Sequence, residues 1–407
     1  MSLLSTGRLF YGWIVVAAAF TVTFVGFGSA YAFSAFVHPL QVEFGASRGS
    51  VALVFAWSGF LYFSFGAVSG RLADRWGARP IAMLGMILVG SGLALASIAR
   101  TLFEVCLAYG LGVGLGIGCA YVPVLGTVQR WFDRRRGLAT GIAVTGIGVG
   151  TLVMPPVAAA LIDSFGWRHA YLLLGGAAAF LGVAVTTLIV SDPAERGLRP
   201  DGATGARPPP NVAHDASVAH VIRSRPFLAL YCACFVASLG VFVPFVHLVP
   251  YAQDIGITSG LAAALMAAIG AGSTIGRLAL GNLADRLGRQ QSLRLACLGM
   301  GTAMILWAFA KSFPALVAFA VVLGVCYGAW VAVLPAVVVD FFGRTHVSTL
   351  IGVLYTSVAF GTLLGPSGAG FMFDLTSSYT FPILASAVAS LASAFITPPL
   401  PQAEQRG

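Results

Sequence analysis

Apolar residues run in blocks of about 20 or more along almost the whole chain, and polar residues gather in short breaks between them. Twelve blocks are recognisable, near residues 11–33, 49–70, 80–99, 103–127, 138–162, 169–190, 226–252, 260–281, 292–311, 314–338, 347–372 and 379–397. A helix rises about 1.5 Å per residue, so each block is long enough to cross a hydrocarbon core of about 30 Å. The first block is too long for the apolar core of a secretory signal and has no A-x-A-like cleavage site after it, so it also counts as a span. The pattern predicts an all-α membrane protein with twelve transmembrane helices.

Composition agrees. Of 407 residues, 58% are apolar and 9% charged, far too little charge for a water-soluble globule of that length. The lipid bilayer is therefore the expected solvent. A net charge of +9 raises the question of nucleic acid, but the basic residues follow the breaks between spans and form no single patch, so no nucleic-acid partner is expected. Alternate breaks and the tails hold 18 of the 23 Lys and Arg, whereas the other breaks hold only Arg48, Arg100, Arg168 and Lys311. Positive charge marks the inner side, which predicts an inner (plasma) membrane protein with both termini cytoplasmic. One basic residue, Arg277, belongs to neither set. The six cysteines all fall within spans, without a C-x-x-C pair or a histidine at metal spacing; they read as small buried hydrophobes, and neither metal nor cofactor is expected.

Residues 191–225 are rich in Pro, Gly and charge and read as a cytoplasmic linker between an N-terminal bundle, 1–190, and a C-terminal bundle, 226–407. The two parts are copies. "GRLADRWG" at 70 returns as "GNLADRLG" at 281, an offset of 211, and the same offset lays "GIAVTGIGVGTLVMP" at 141 over "GVLYTSVAFGTLLGP" at 352 and Asp163 over Asp374. One offset shared by separate motifs predicts two duplicated six-helix bundles.

The repeated G-x-L-A-D-R-x-G, with Asp74, Arg75, Asp285 and Arg286 at the ends of spans two and eight, resembles the signature of the major facilitator superfamily. Carboxylates near helix ends and arginines on neighbouring loops suit a breakable charge cluster that locks one face. "WFDRRRGLATGIAVTGIGVG" at 131–150 is similar to the monocarboxylate transporter signature; Arg135 and Arg136 occupy its basic pair, and Asp133 departs from it. "YGW" at 11–13 is a partial match to that family's first-span motif, and "HLVPYAQDIGI" at 247–257 resembles the seventh span of its bacterial branch, which includes oxalate/formate exchangers. In "DRRRG" at 133–137 we read a topology anchor and gate element.

Arg277 is not explained by the repeat, because its counterpart is Gly66. Eight helical residues separate it from Asp285, about 12 Å, which places its Cα near the bilayer midplane. A guanidinium there costs about 3 kcal/mol or more unless it faces water or an anion. Gly270, Ser273, Thr274 and Arg277 share one helix face, which reads as the wall of an aqueous cavity. Snorkelling to the interface or a structural ion pair is the other reading, yet the 14 acidic residues all lie at span ends or in breaks. The expected partner is a bound carboxylate. The resemblance implies the same, since that family carries an arginine at this place. Its animal branch has an Asp where this chain has Ser273 and a first-span lysine where it has Ala35, which leaves proton coupling without those groups.

A dianion such as oxalate would want two cations. Where the resembled exchangers have a lysine, in an "LYTAKG"-like stretch, this chain reads "LYTSVA", with Val358. One cation favours a small monocarboxylate of lactate or pyruvate size, moved with a proton. Tyr121 and Tyr327 lie in glycine-rich spans and are candidate hydroxyl donors, with Tyr31 and Tyr379 behind them. Each also reads as a packing tyrosine. His247, mid-span, is a candidate cavity or proton-handling residue, or simply bonds a backbone carbonyl. The glycines of "GLGVGLGIG" at 110–118 sit inside a span and predict close helix packing, not a nucleotide loop. Short tails disfavour a non-transporting sensor, and the lack of H-E-x-x-H, G-x-S-x-G or P-loop motifs disfavours an enzyme. The expectation is a carrier that works as a monomer by alternating access, with an organic-anion exchanger as the alternative.

Overall fold

The computed structural model describes residues 10–133, 135–202, 218–342 and 347–398; the side chains of residues 67, 136, 279–286, 347 and 348 lie outside that description. Residues 203–217 of the expected linker are likewise outside it. Every regular element among the described residues is helical. The helices are α1 (Tyr11–Tyr31), α2 (Phe33–Phe44), α3 (Arg48–Trp76), α4 (Ala78–Ser97), α5 (Leu102–Tyr109), α6 (Gly116–Trp131), α7 (Arg136–Thr186) and α8 (Val218–Ile222). They continue as α9 (Arg225–Val241), α10 (Pro244–Asp254), α11 (Ser259–Leu287), α12 (Arg289–Phe309), α13 (Phe313–Phe342), α14 (Val347–Thr376) and α15 (Thr380–Ile396).

Ten stretches among the described residues are long and apolar enough to cross a membrane. The expected twelve spans are recovered because α7 holds two of them and α15 is a shorter apolar helix. Within α7 the break is Gly166, at φ 79°, where the chain reverses between spans five and six. Spans one and seven are each divided, into α1 with α2 and α9 with α10. Pro244 explains the second division: it lacks an N–H and opens α10 from its first turn.

The duplication is written in the backbone as well as in the sequence. Positive φ occurs at Gly45 and Gly256, at Gly77 and Gly288, and at Gly166 and Ser377; each pair is 211 residues apart. A left-handed residue is the cheapest way to stop a helix and turn, and glycine adopts it without a Cβ clash. Ser377, at φ 52°, keeps the positive φ of its counterpart although it has a side chain.

Side chains sort by solvent. Phe180, Phe309, Leu375 and Phe395 are each more than three-quarters exposed, on an outer surface that only lipid would cover favourably. Inside, glycines set the helix spacing. A Cβ on Gly116 would lie 2.6 Å from the carbonyl oxygen of Gly85, and Gly112 meets Gly92 on the same pair of spans. The glycine run therefore packs helices, as expected, and it also relaxes into a π-helical turn over Gly110–Leu115.

The two signature stretches meet at the face that carries residues 10, 133 and 398, called here the terminal face. Phe10, Tyr11 and Trp13 stack around Trp131 and Phe132. Trp131 Nε1 donates to the carbonyl of Val190 at 2.8 Å and Tyr11 Oη to that of Leu188 at 3.0 Å, so this aromatic box holds the chain where it leaves span six. The first six spans touch the last six chiefly along α3 against α14 and α7 against α11.

Candidate functional site

Helix α11 brings Arg277 between the two sets of spans. It is 4% exposed, and Nε, Nη1 and Nη2 are all buried without a hydrogen-bond partner. Its Cζ stands 5.7 Å from the ring centroid of Tyr327, on α13. Across from it on α7 is Gly148, where a Cβ would lie 3.2 Å from Arg277 Nη1, so the glycine leaves room for the planar guanidinium. Tyr31, Tyr121 and Tyr327 are all within electrostatic reach of the arginine. A buried cation surrounded by phenols and without a carboxylate partner among the described residues has the chemistry to hold an anion, because the phenols donate hydrogen bonds without cancelling the charge.

Tyr31 Oη and Tyr327 Oη lie 2.9 Å apart, a buried hydrogen bond from the first half of the chain to the second. Phe245 packs on both rings, with centroids at 4.5 Å and 5.2 Å. Tyr121 is only half-buried and stands near Tyr355, also half-buried, from α14. The structure thus gathers Arg277, Tyr327 and Tyr121, and adds Tyr31, which the sequence ranked lower, and Tyr355, which it passed over. Tyr355 stands in "LYTSVA", three residues before Val358, and in sequence nothing separates it from a packing tyrosine. Val358 itself is fully buried.

His247 is placed apart from this group. Its Nε2 is 2.8 Å from the carbonyl oxygen of Pro366 and its Nδ1 3.1 Å from Tyr379 Oη, near the face opposite the termini. The small polar face of α11 also differs from the expected cavity wall. Gly270 packs against the backbone of Gly148 and Leu152, and Thr274 bonds back to the Gly270 carbonyl at 3.0 Å. Glycine and threonine let α7 approach so closely that most of this face is a helix contact. Ser273 Oγ, buried and unbonded, and the guanidinium are what remain for a ligand.

The expected gate at the terminal face is resolved in part. Asp74 pairs with Arg130, but both belong to the first six spans, so the pair ties α3 to α6 and does not bridge the halves. Arg75 and Arg135 are exposed. The side chains of Arg136, Asp285 and Arg286 lie outside the described residues. In the second half Arg289 bonds Asp340 at 2.7 Å. Of the cysteines, Cys119, Cys234 and Cys297 are buried, Cys106 and Cys326 are half-buried, and Cys232 is exposed, a departure from six buried hydrophobes.

Comparison with known proteins agrees with this architecture. The model of the Major Facilitator Superfamily matches residues 18–313 and 235–406. Human "Monocarboxylate transporter 11" is 32% identical over 407 aligned residues, 97% of this chain and 83% of its own length. Rat "Monocarboxylate transporter 3" is 32% identical over 374, covering 91% and 75%.

The chain belongs to the monocarboxylate transporter family.

It is a membrane transporter of the major facilitator superfamily, not an enzyme. Its fold matches the crystal structure of a bacterial homologue of the human lysosomal transporter Spinster, described as inward-facing and unoccupied, with a TM-score of 0.71 at 17% identity over 96% of both chains. Within this family member the tyrosine-lined arginine lies where the two halves of the fold meet.

Proposed function

We propose that the protein is a secondary active transporter that moves a small monocarboxylate, of lactate or pyruvate size, together with a proton. It sits in the plasma (inner) membrane with the terminal face cytoplasmic, works as a monomer, and alternates access by rocking bundle 1–190 against bundle 226–407 about the linker 191–225. The observation that carries the reading is Arg277: three buried nitrogen donors with no hydrogen-bond partner among the described residues. A carboxylate satisfies two of them in parallel. Tyr327, Tyr31 and Tyr121 then present hydroxyls to the remainder of a small acid. A single cation, with Val358 where the resembled exchangers carry a lysine, suits one negative charge, and a co-transported proton keeps the loaded carrier close to neutral. The homologues' names support the substrate class, and the positive-inside pattern supports the orientation.

The test is uptake of labelled L-lactate into proteoliposomes under an acid-outside gradient, with oxalate as competitor. Uptake that follows the gradient, ignores oxalate and fails in Arg277→Ala is the expected result. Uptake only against a preloaded anion, with oxalate competing, would replace symport by exchange. Normal uptake by Arg277→Ala would overturn the site.

A further inference from the structure

The face opposite the termini is closed by contacts that cross from the first half of the chain to the second, and they converge on Arg48 at the start of α3. Arg48 Nη1 and Nη2 each bond a carboxylate oxygen of Asp254, at the end of α10, at 2.6 Å. Nη1 also donates to Tyr379 Oη at 2.9 Å, and the guanidinium carbon lies 4.0 Å above the ring of Phe373. The backbone joins in. The N–H groups of Arg48 and Gly49 donate to the two oxygens of Asp374 at 2.9 Å each, so the carboxylate at the end of α14 caps the first turn of α3. Gly49 permits this, since a Cβ there would run into the ring of Phe371.

Comparison of the two copies shows that the arrangement is not a by-product of the duplication. Asp254 corresponds to Glu43 and Tyr379 to Arg168, and the positive-φ pairs Gly45 with Gly256 and Gly166 with Ser377 fix the register on both loops. In the first copy Glu43 is satisfied within its own half by Arg168, at 2.9 Å. In the second copy the arginine has become Tyr379, which leaves Asp254 for Arg48 of the other half. Tyr379 extends the network inward. The Pro366 carbonyl only accepts, so His247 Nε2 carries the proton and Nδ1 accepts; Tyr379 therefore donates to Nδ1 while accepting from Arg48.

We propose that Arg48, Asp254 and Asp374 form a latch that holds the face opposite the termini shut between the two halves, with Tyr379 as the positioning residue that ties it to His247. Opening that face requires the guanidinium to leave Asp254 and Phe373, and α3 to lose its borrowed cap. The latch rests on the rocking motion proposed above, but its first test, a labelling rate, needs no substrate, so either reading can fail alone.

Thr362 is the reporter. It is fully buried on α14, twelve residues and about 18 Å along the helix from Asp374, with its methyl group against Gly59 of α3. In Cys232→Ser protein in lipid nanodiscs, Thr362→Cys is labelled with a polar methanethiosulfonate, and the rate is compared with that of the same chain lacking Thr362→Cys. Adding Arg48→Ala or Asp254→Asn should raise the rate about tenfold, less than for a fully buried pair because Asp254 is partly exposed. Arg48→Lys should fall between, and Tyr379→Phe should raise it less than Arg48→Ala. Unchanged labelling in Arg48→Ala would overturn the latch. If that variant does not fold, a second measurement decides. Arg48→Cys with Asp254→Cys, bridged by a short bis-methanethiosulfonate, should lose transport and regain it on reduction, whereas full transport through the bridged protein would show that this face need not part.

Discussion

Arg277→Lys tests the site because it keeps the charge and removes the fork. In the structure the guanidinium is 4% exposed, its three nitrogens lack partners, and Gly148 leaves space for a flat group at Nη1. A carboxylate that docks in parallel makes two charge-assisted bonds, and the ammonium of lysine, a point donor on a slimmer stem, keeps one. Hydrogen bonds to charged groups contribute about 1.5–3 kcal/mol each, so losing one should weaken binding about 10–150-fold. Arg277→Gln, without charge, should bind more weakly still. The assay is isothermal titration of L-lactate into the purified variants, with thermal unfolding alongside to show that each is folded. The reasoning is refuted if folded Arg277→Lys binds within about twofold of the native protein, for then the fork and its geometry contribute nothing.

Three further outcomes follow from the packing. Tyr31→Phe and Tyr327→Phe each remove one side of the same buried hydrogen bond, so their destabilisations should not add; a double-mutant cycle on thermal unfolding should show about 0.5–1.5 kcal/mol of coupling. Gly116→Ala drives a methyl group into the Gly85 carbonyl and should cost about 1–3 kcal/mol by thermal unfolding, whereas Gly137→Ala, which meets nothing within 4 Å, should leave the melting temperature unchanged. Gly166→Ala forces a Cβ onto φ 79° and ψ 160°, a conformation essentially reserved for glycine, between spans five and six and should cost about 1–3 kcal/mol in the same measurement.

The spans were legible because lipid imposes a length and an apolarity on every crossing segment, and the repeat because Gly, Asp and Pro hold fixed backbone duties at one offset. Arg277 was legible for the same reason in reverse: a charge at that depth has no place in a lipid-facing helix. What the sequence did not show depends on which helix faces which. The small residues Gly270 and Thr274 look alike whether they line water or touch a helix, and only the approach of α7 decides it. His247 sits mid-span by count, yet its ring points to Pro366 and Tyr379. In sequence Arg48 is only one of four basic residues on the sparsely basic side, because its partner Asp254 is 206 residues away and nothing local links them.

The offset of 211 separates scaffold from chemistry. Positions that shape the backbone are retained in both copies, as in Gly45 with Gly256, Gly77 with Gly288 and Pro155 with Pro366. Four polar residues of the second half are not, although Asp374 has its counterpart in Asp163: Arg277 faces Gly66 in the alignment of copies, Tyr327 faces Gly116, His247 faces Phe36, and Tyr379 faces Arg168. In the first half those counterparts are committed to packing. A Cβ on Gly66 would meet Val122 at 2.8 Å, one on Gly116 would meet Gly85, and Phe36 stacks on Tyr171 with centroids 3.9 Å apart. The first half therefore has no room to acquire the same groups without losing helix contacts, and the second half can hold a buried cation because α7 offers it a glycine. The two copies therefore share a scaffold, while the buried cation between them belongs to the second copy and is accommodated by a glycine of the first.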